Sequence, residues 1–320
     1  MPERVKVLSI DGGGIRGLIP ALALAELEKR AQRPAARLFD LIAGTSTGGI
    51  LACALTKPGE DGEPAWPAEQ LVGLYQEKGP EIFSRSVFQR LRSGGGLRDE
   101  KYPAKGLEDT LAHYLGDAKL SDAVTRLMLT SYETERRYPF FFKSWRAQED
   151  ATLDFPMRLA ARATSAAPTY FEALRLETAT SAEYYSLIDG GMFANNPAMC
   201  AYAEVRRLWP EADVALVSLG TGQLTRPLPW SDIKNWGLVE WARPALDVVF
   251  DGVSDATDYQ LRQVLREDEY WRLQVSLTAG ASDNMDDTHE ANLRALKLKG
   301  EELIADHSHD LDAIVGALAS

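Results

Sequence analysis

The chain has 320 residues, 45% of them hydrophobic, and a formal net charge of −12. This length accommodates one large α/β domain or two small ones with a substantial buried core. The acidic charge argues against nucleic acid as a partner and against strong attraction to anionic lipid surfaces, so adsorption to lipid would need apolar or locally basic surface.

Membrane spans and a secretion signal are not expected from this sequence. It contains no run of eighteen or more apolar residues, the length a transmembrane helix needs. Met1 to Arg4 lead directly into a predicted strand without an apolar signal segment, which favours a cytoplasmic location. Cys53 and Cys200 fall in predicted helices without a second cysteine or metal ligand at useful spacing, so we expect buried free thiols.

The N-terminal quarter of the chain predicts a βαβα unit. Val5 to Ile10 is a short apolar run typical of a buried strand, and Leu18 to Arg30 has helical spacing. Phe39 to Ala43 predicts a second strand, and Gly48 to Leu55 the helix after it. Strands that alternate with helices in this way pair in parallel, with a right-handed crossover.

The rest of the chain continues the alternation less regularly. Residues 57–67 predict a surface loop, and residues 84–106, rich in arginine and glycine, predict either a solvated mobile loop or a lid over an active site. Strands are predicted at 126–132, 138–145, 184–188, 213–219 and 270–277, and helices at 196–208 (with Asn196 as N-cap), 236–265, 288–305 and 309–318. We therefore expect one doubly wound, three-layer α/β/α domain over residues 1–320 with a mainly parallel central sheet, built of a motif core at about 4–222 and an extension at about 223–320 packed on it.

The second strand leads into a Gly-x-Ser-x-Gly motif, Gly44 to Gly48. A serine on a strained strand-to-helix turn exposes its hydroxyl, and flanking glycines allow the turn without Cβ clashes. The helix that follows directs free N–H groups and partial positive charge toward the reacting centre. Ser46 is therefore a candidate nucleophile on a nucleophile elbow, with Gly44 and Gly48 as its glycines.

The first strand leads into a glycine run, Gly12-Gly13-Gly14, followed by Arg16. The run also satisfies the dinucleotide-binding pattern G-x-G-x-x-G, but that site needs an acidic residue at the end of the second strand, and Asp40 stands at its beginning. The alternative is an oxyanion hole, in which the glycine N–H groups stabilise a tetrahedral intermediate beside Ser46. Arg16 has two possible roles that the sequence does not separate: it could hold the loop closed, or it could contact a phosphate.

The serine needs a proton acceptor, and a histidine is the first candidate to test. Each of the four histidines, His113, His289, His307 and His309, stands outside glycine-flanked strand ends, as surface or capping histidines do. Asp189 follows an apolar strand and precedes Gly190-Gly191. A turn aspartate would show the same pattern, but a partly desolvated carboxylate near Ser46 would also be a suitable base.

Together these motifs resemble those of the patatin-like phospholipase family. The resemblance is carried by Asp11–Gly17, Gly44–Gly48, Asp189–Gly191, residues 163–171, Asn195–Pro197 and Gly220–Gly222. It runs from about residue 4 to 222 and continues more weakly to the C-terminus. As a set, these motifs are highly specific.

The resemblance implies a Ser46–Asp189 dyad with an oxyanion hole from the Gly12, Gly13 and Gly14 backbone and Arg16 nearby. It implies a patatin-like fold and hydrolysis of acyl esters of phospholipids and related lipids, without a metal or organic cofactor. The expected partners are a phospholipid or other acyl-ester substrate and, transiently, a membrane surface.

Two other functions stay open. A thioesterase or acyltransferase would form the same acyl-serine from a thioester, or pass the acyl group to an acceptor other than water. A signal-activated effector, such as the cyclic-nucleotide-gated phospholipases of anti-phage defence, would need a small-molecule activator.

The aromatic residues at 140–142, 155, 170 and 171 predict core packing or, alternatively, an acyl pocket.

Overall fold

The structure is a computed structural model that describes residues 3–83, 102–178, 183–223, 227–241, 244–277 and 280–319. Residues 84–101, which make up most of the segment predicted as a mobile loop or lid, lie outside the described residues. In the described part of the chain, no helix has the length and apolar character needed to cross a membrane.

Within the described residues, an eight-stranded mixed sheet forms the centre of the protein, in the order β5-β6-β3-β2-β1-β7-β8, with β4 paired to β3. The strands are β1 (Arg4–Ile10), β2 (Leu41–Gly44), β3 (Arg126–Glu133), β4 (Tyr138–Lys143), β5 (Leu174–Glu177), β6 (Tyr184–Asp189), β7 (Asp213–Leu219) and β8 (Tyr270–Leu273). β3, β2, β1, β7 and β8 run parallel, whereas β4, β5 and β6 add antiparallel pairs. The prediction of a mainly parallel central sheet is confirmed.

The register of the parallel strands brings three loops together. Ile10 pairs with Gly44 on one side and with Leu219 on the other, so β1, β2 and β7 end at the same level. The glycine run, the serine turn and the turn at 220–222 therefore meet at one edge of the sheet. Ligand sites of open α/β sheets lie at this carboxyl edge.

Helices cover both faces of the sheet. They are α1 (Leu18–Ala31), α2 (Thr47–Thr56), α3 (Ala68–Gly73), α4 (Gly79–Ile82), α5 (Lys105–Leu115), α6 (Ser144–Glu149), α7 (Met157–Thr164), α8 (Gly191–Ala194), α9 (Ala198–Leu208), α10 (Trp230–Ile233), α11 (Leu238–Trp241), α12 (Pro244–Val264), α13 (Glu290–Asp306) and α14 (Ser308–Ala319). One buried cluster packs α1, α2 and α7 on one face, and a second packs α9 and α12 on the other. Both faces of the central strands are buried, as their continuous apolar sequences require.

Several predicted boundaries are corrected by local interactions. The strand predicted at 138–145 ends at Lys143, because Ser144 starts α6 and its hydroxyl accepts the Leu127 N–H. The helix predicted from Asn196 begins at Ala198, whose N–H the Asn196 side chain accepts. The strand predicted at 270–277 is shorter in the structure, because β8 ends at Leu273. The next residue is Gln274, whose side-chain oxygen accepts the backbone N–H groups of Gly222 and Val275.

The helical region predicted over 236–265 is divided. Its long helix, α12, begins only at Pro244, a residue suited to a first helical turn. The short helix α11 precedes it, and residues 242–243 lie outside the described residues. β5 was missed, because its four residues carry too short an alternation to predict a strand.

Candidate active site

Ser46 stands between β2 and α2 with backbone angles of φ 54° and ψ −124°. A residue with a Cβ rarely adopts positive φ, and such strain costs about 1–3 kcal/mol. The Ser46 N–H donates to Thr164 Oγ1 at 2.9 Å, which helps to hold the turn. The hydroxyl side chain is only partly buried and lines a pocket, as nucleophilic attack requires.

The two flanking glycines are required by close backbone approach. A Cβ on Gly44 would lie 2.3 Å from the carbonyl oxygen of Gly48. A Cβ on Gly48 would lie 2.2 Å from the carbonyl oxygen of Ile10. Neither neighbour is a flexible side chain, so any larger residue would displace β1 or α2 and, with them, Ser46.

Asp189 is the last residue of β6 and is 1% exposed. Its Oδ1 accepts the Gly191 N–H at 2.7 Å, and Oδ2 has no hydrogen-bond partner among the described residues. Desolvation by burial raises the pKa of Asp189 to about 7, against smaller lowering effects of Gly191 and the Ser46 hydroxyl. A carboxyl group with this pKa can accept and return a proton near neutral pH.

Ser46 and Asp189 line the same pocket. The serine lies close enough to lower the pKa of the carboxyl, but no hydrogen bond of standard length and angle joins the two side chains. Catalytic hydrogen bonds are often long before substrate binds and tighten in the reacting complex. The arrangement therefore suits proton transfer from the serine to the carboxylate.

The pocket around Ser46 is partly open to solvent and predominantly apolar. Its apolar walls include Ile15, Ile50, Leu74, Ile82, Phe83, Leu107, Tyr170, Phe171, Phe250 and Met285. Of the aromatic residues considered from sequence, Tyr170 and Phe171 line this pocket, whereas those at 140–142 and 155 line a separate cleft. This apolar lining is chemically suited to a fatty acyl chain.

The glycine run differs from the predicted arrangement at one residue. The Gly12 N–H donates to the Asn195 carbonyl at 3.0 Å, so this donor is engaged within the protein. Gly13 and Gly14 line the pocket, and no hydrogen bond from their N–H groups occurs among the described residues. The candidate donors of the oxyanion hole are therefore the N–H groups of Gly13 and Gly14, and the predicted contribution of Gly12 is not supported.

Arg16 is 5% exposed and folds back on this loop. Its Nε donates to the Gly13 carbonyl at 3.3 Å, which supports the first of the two predicted roles, closing the loop. Its Nη1 has no hydrogen-bond partner among the described residues. Burial lowers the pKa of the guanidinium, while the carboxylates of Asp251 and Asp247 act in the opposite direction.

None of the four histidines lines this pocket. His289 contacts Asp287 through Nδ1 at 2.8 Å, and His307 contacts Asp310 in the same way. His113 stacks near Trp66. These contacts fit the predicted surface and capping positions. Among the described residues that line the pocket, Asp189 is the carboxylate beside Ser46.

Several supporting residues had no assigned role in the sequence analysis. Thr164 and Ser165 belong to the 163–171 motif; Thr164 holds the Ser46 turn, and Ser165 lines the pocket with its hydroxyl unpartnered among the described residues. Thr221 donates to the Gly12 carbonyl at 2.7 Å, and Asn195 binds the Gly12 N–H. The motif matches marked these positions, but their contacts required the fold.

Comparison with known proteins agrees with the family resemblance that the sequence motifs indicate. A family model described as patatin-like phospholipase matches residues 8–202. Patatin-like protein 2 of Arabidopsis thaliana is 34% identical over 336 residues, covering 94% of this chain and 83% of the relative. Patatin-15 of Solanum tuberosum is 32% identical over 334 residues, covering 95% and 84%.

Among solved structures, VipD from Legionella pneumophila aligns with a TM-score of 0.41 and 14% identity, covering 96% of this chain and 67% of that chain. The family-model match extends over more than half of the chain, and the relatives align along nearly all of it. The chain belongs to the patatin-like phospholipase family of lipid acyl hydrolases.

Proposed function

We propose that the protein is a serine carboxylic-ester hydrolase of the phospholipase A or lysophospholipase type, with Ser46 as nucleophile and Asp189 as base. The observation that carries this proposal is the pairing of a strained, partly exposed serine with a buried carboxyl of raised pKa in one apolar pocket. An activated serine needs such an acceptor within reach.

In the proposed mechanism Ser46 Oγ attacks the ester carbonyl and its proton passes to Asp189. The negative charge that develops on the carbonyl oxygen faces the Gly13 and Gly14 N–H groups, and one such donor is worth about 3–4 kcal/mol. The intermediate collapses, and the leaving alcohol takes the proton from Asp189. A water molecule, deprotonated by Asp189, then attacks the acyl-Ser46 ester. As the fatty acid leaves, Ser46 Oγ takes the proton back from Asp189, which restores the free hydroxyl and the carboxylate.

The same proposal includes transient contact with a membrane surface. Large apolar side chains are exposed at Trp230 (74%), Leu238 (92%) and Val239 (77%), and Val248 and Val249 on α12 are also exposed. The next residue of α12, Phe250, lines the apolar pocket. Aromatic and aliphatic side chains of this kind bind the interfacial region of a bilayer despite the acidic net charge.

Vesicle binding tests this contact. The variant Trp230→Ser, Leu238→Ser should cosediment with neutral phosphatidylcholine vesicles several-fold less than wild type, while keeping its rate on a soluble short-chain nitrophenyl ester. Leu298→Ser, which alters an exposed apolar residue on α13 (64% exposed), serves as the control. Equal binding of all three proteins would remove the assigned contact surface.

Substrate comparison tests the proposed function itself. Purified protein with chelator present should hydrolyse phospholipid vesicles and lysophospholipid faster than an acyl thioester, and added alcohols should not divert most of the acyl group. A preference for the thioester, or transfer as the main reaction, would favour the thioesterase or acyltransferase alternative. Activity only after addition of a small molecule such as a cyclic nucleotide would favour the signal-activated effector.

A further inference from the structure

The side chain of Asn195 stands beside both members of the proposed dyad. Asn195 follows α8, is 9% exposed and lines the pocket together with Ser46 and Asp189. A Cβ on Gly12 would lie 2.3 Å from Asn195 Oδ1 and 3.2 Å from Ser46 Cβ, so both atoms border one point of the glycine loop. A Cβ on Gly191 would lie 3.1 Å from Asp189 Oδ1 and 3.3 Å from Asn195 Oδ1. The carboxamide oxygen therefore lies near the nucleophile and near the base.

Three hydrogen bonds fix the position of this side chain. The Asn195 carbonyl accepts the Gly12 N–H at 3.0 Å, and the Thr45 hydroxyl donates to the preceding carbonyl, that of Ala194, at 2.7 Å. Asn195 Nδ2 donates to Ser254 Oγ of α12 at 3.0 Å, while Oδ1 faces the glycine loop. Among the described residues no hydrogen bond reaches Oδ1. A carboxamide oxygen has two lone pairs, so Oδ1 is an acceptor available to a molecule in the pocket.

The second half of the proposed reaction needs an acceptor at this place. The water molecule that attacks acyl-Ser46 has two O–H groups, and Asp189 accepts only one of them. The other O–H group needs a partner once the water has left bulk solvent, because an unsatisfied polar group inside a protein is costly. The N–H groups of Gly13 and Gly14 are donors and cannot supply that partner.

We propose that Asn195 orients the water molecule that hydrolyses the acyl-enzyme. The inference rests on the proposed function, because it assigns a residue to the second step of that reaction. The water donates one O–H to Asn195 Oδ1 and the other to Asp189, which directs a lone pair at the acyl carbon. As the new C–O bond forms, Asp189 takes one proton. The bond to Ser46 Oγ then breaks, Oγ receives this proton, and the second water proton leaves with the fatty acid.

The same contact favours water over an alcohol as the acceptor of the acyl group. An alcohol has a single O–H, which it donates to Asp189, and it carries an alkyl group where water has its second O–H. Water therefore gains a hydrogen bond from Asn195 that the alcohol does not gain. Asn195 thus biases the enzyme toward hydrolysis and away from acyl transfer.

The test measures how acyl-Ser46 partitions between water and methanol. Wild type, Asn195→Leu and Ser254→Ala react with nitrophenyl butyrate at one methanol concentration, and butyrate and methyl butyrate are quantified. Leucine has nearly the shape of asparagine but no acceptor, so Asn195→Leu should lower the ratio of butyrate to methyl butyrate about tenfold. Ser254→Ala loses the same hydrogen bond between Asn195 and α12 but keeps the carboxamide oxygen, so its ratio should stay close to that of wild type.

Rapid-quench mass spectrometry of acyl-Ser46 gives an independent readout. Without methanol, hydrolysis of the acyl-enzyme should slow about tenfold in Asn195→Leu, whereas its formation from the ester, which uses no water, should keep nearly the wild-type rate. Asn195→Ala, which also lacks the acceptor, takes the place of the leucine variant if that variant does not fold.

Three results would overturn the inference while the hydrolase proposal stands. They are an unchanged product ratio in the Asn195 variant, equal slowing of acyl-enzyme formation and hydrolysis, and a ratio in Ser254→Ala as low as in the Asn195 variant. The last two results would indicate that Asn195 acts only through the packing of α8 on α12. Absence of both acyl-Ser46 and hydrolysis in wild type would overturn the proposed function, and the inference with it.

Discussion

The Asp11 carboxylate accepts two hydrogen bonds from the Arg272 guanidinium, at 3.0 and 2.6 Å, and both side chains are less than 10% exposed. Arg272 also donates to Ser218 at 2.9 Å. Asp11 begins the glycine loop after β1, whereas Arg272 lies on β8, two strands away in the sheet. The ion pair thus fixes the start of the candidate oxyanion loop to the C-terminal part of the chain.

We expect Arg272→Met to destabilise the protein strongly. The substitution leaves the Asp11 carboxylate buried without its counter-charge, and breaking a buried pair in this way costs about 3–5 kcal/mol. Urea unfolding of the variant and wild type measures the difference. The double variant Asp11→Asn, Arg272→Met should recover part of the loss, and a single-variant loss below about 1 kcal/mol would show that the pair does not anchor the loop.

The pH dependence of activity follows from the raised pKa of Asp189, about 7. The base must be ionised to accept the serine proton, so kcat/KM should fall about tenfold per pH unit below this pKa and level off above it. Initial rates on a nitrophenyl ester across this range provide the profile. An acidic limb near the ordinary aspartate value, about pH 4, would exclude Asp189 as the titrating base.

The same pKa predicts an effect on stability. Ionisation of Asp189 is disfavoured in the folded state, so the contribution of the protonated carboxyl is present below the unfolded pKa of about 4 and lost as pH rises through about 7. Asp189→Asn should therefore stabilise the protein relative to wild type, with a gain that grows by roughly 2 kcal/mol between about pH 5.5 and about pH 8.5. Chemical denaturation at both pH values measures it. A gain independent of pH would contradict the assigned pKa of Asp189.

Backbone strain at Ser46 predicts a difference in stability between two variants that we expect to be inactive. Ser46→Gly and Ser46→Ala both lack the hydroxyl of the proposed nucleophile, but only glycine adopts positive φ without a steric penalty. We expect the glycine variant to be more stable than the alanine variant by about 1 kcal/mol, despite its greater unfolded-state entropy. Thermal unfolding compares the two directly; a less stable glycine variant would indicate that the turn is unstrained.

The sequence predicts the central sheet well because its strands are continuous apolar runs between glycine-rich loops. β1 and β7 are buried along almost their whole length, and their sequences RVKVLSI and DVALVSL predict them within one residue. The serine turn was also predictable, because its glycine spacing has a specific steric cause. The predicted βαβ order then placed the glycine run and Ser46 at one sheet edge.

Contacts between distant segments could not be predicted in this way. The engagement of the Gly12 N–H depends on Asn195, which follows α8 and lies 183 positions further along the chain. Likewise, the Asp11–Arg272 ion pair connects the N-terminal and C-terminal parts of the chain. Arg16 and residues of α12 also line one cleft, although they are far apart in sequence. Periodicity and spacing describe local structure, whereas these contacts depend on the complete sheet order.

The Ser46–Asp189 dyad is tested most directly by esterase assays of four proteins: wild type, Ser46→Ala, Asp189→Asn, and a variant with all four histidines replaced. The account predicts that both dyad variants lose at least about a thousandfold in kcat while the histidine-free protein, folded by circular dichroism, keeps most of its activity. Loss of activity in the folded histidine-free protein, or activity retained in Asp189→Asn, would contradict the dyad.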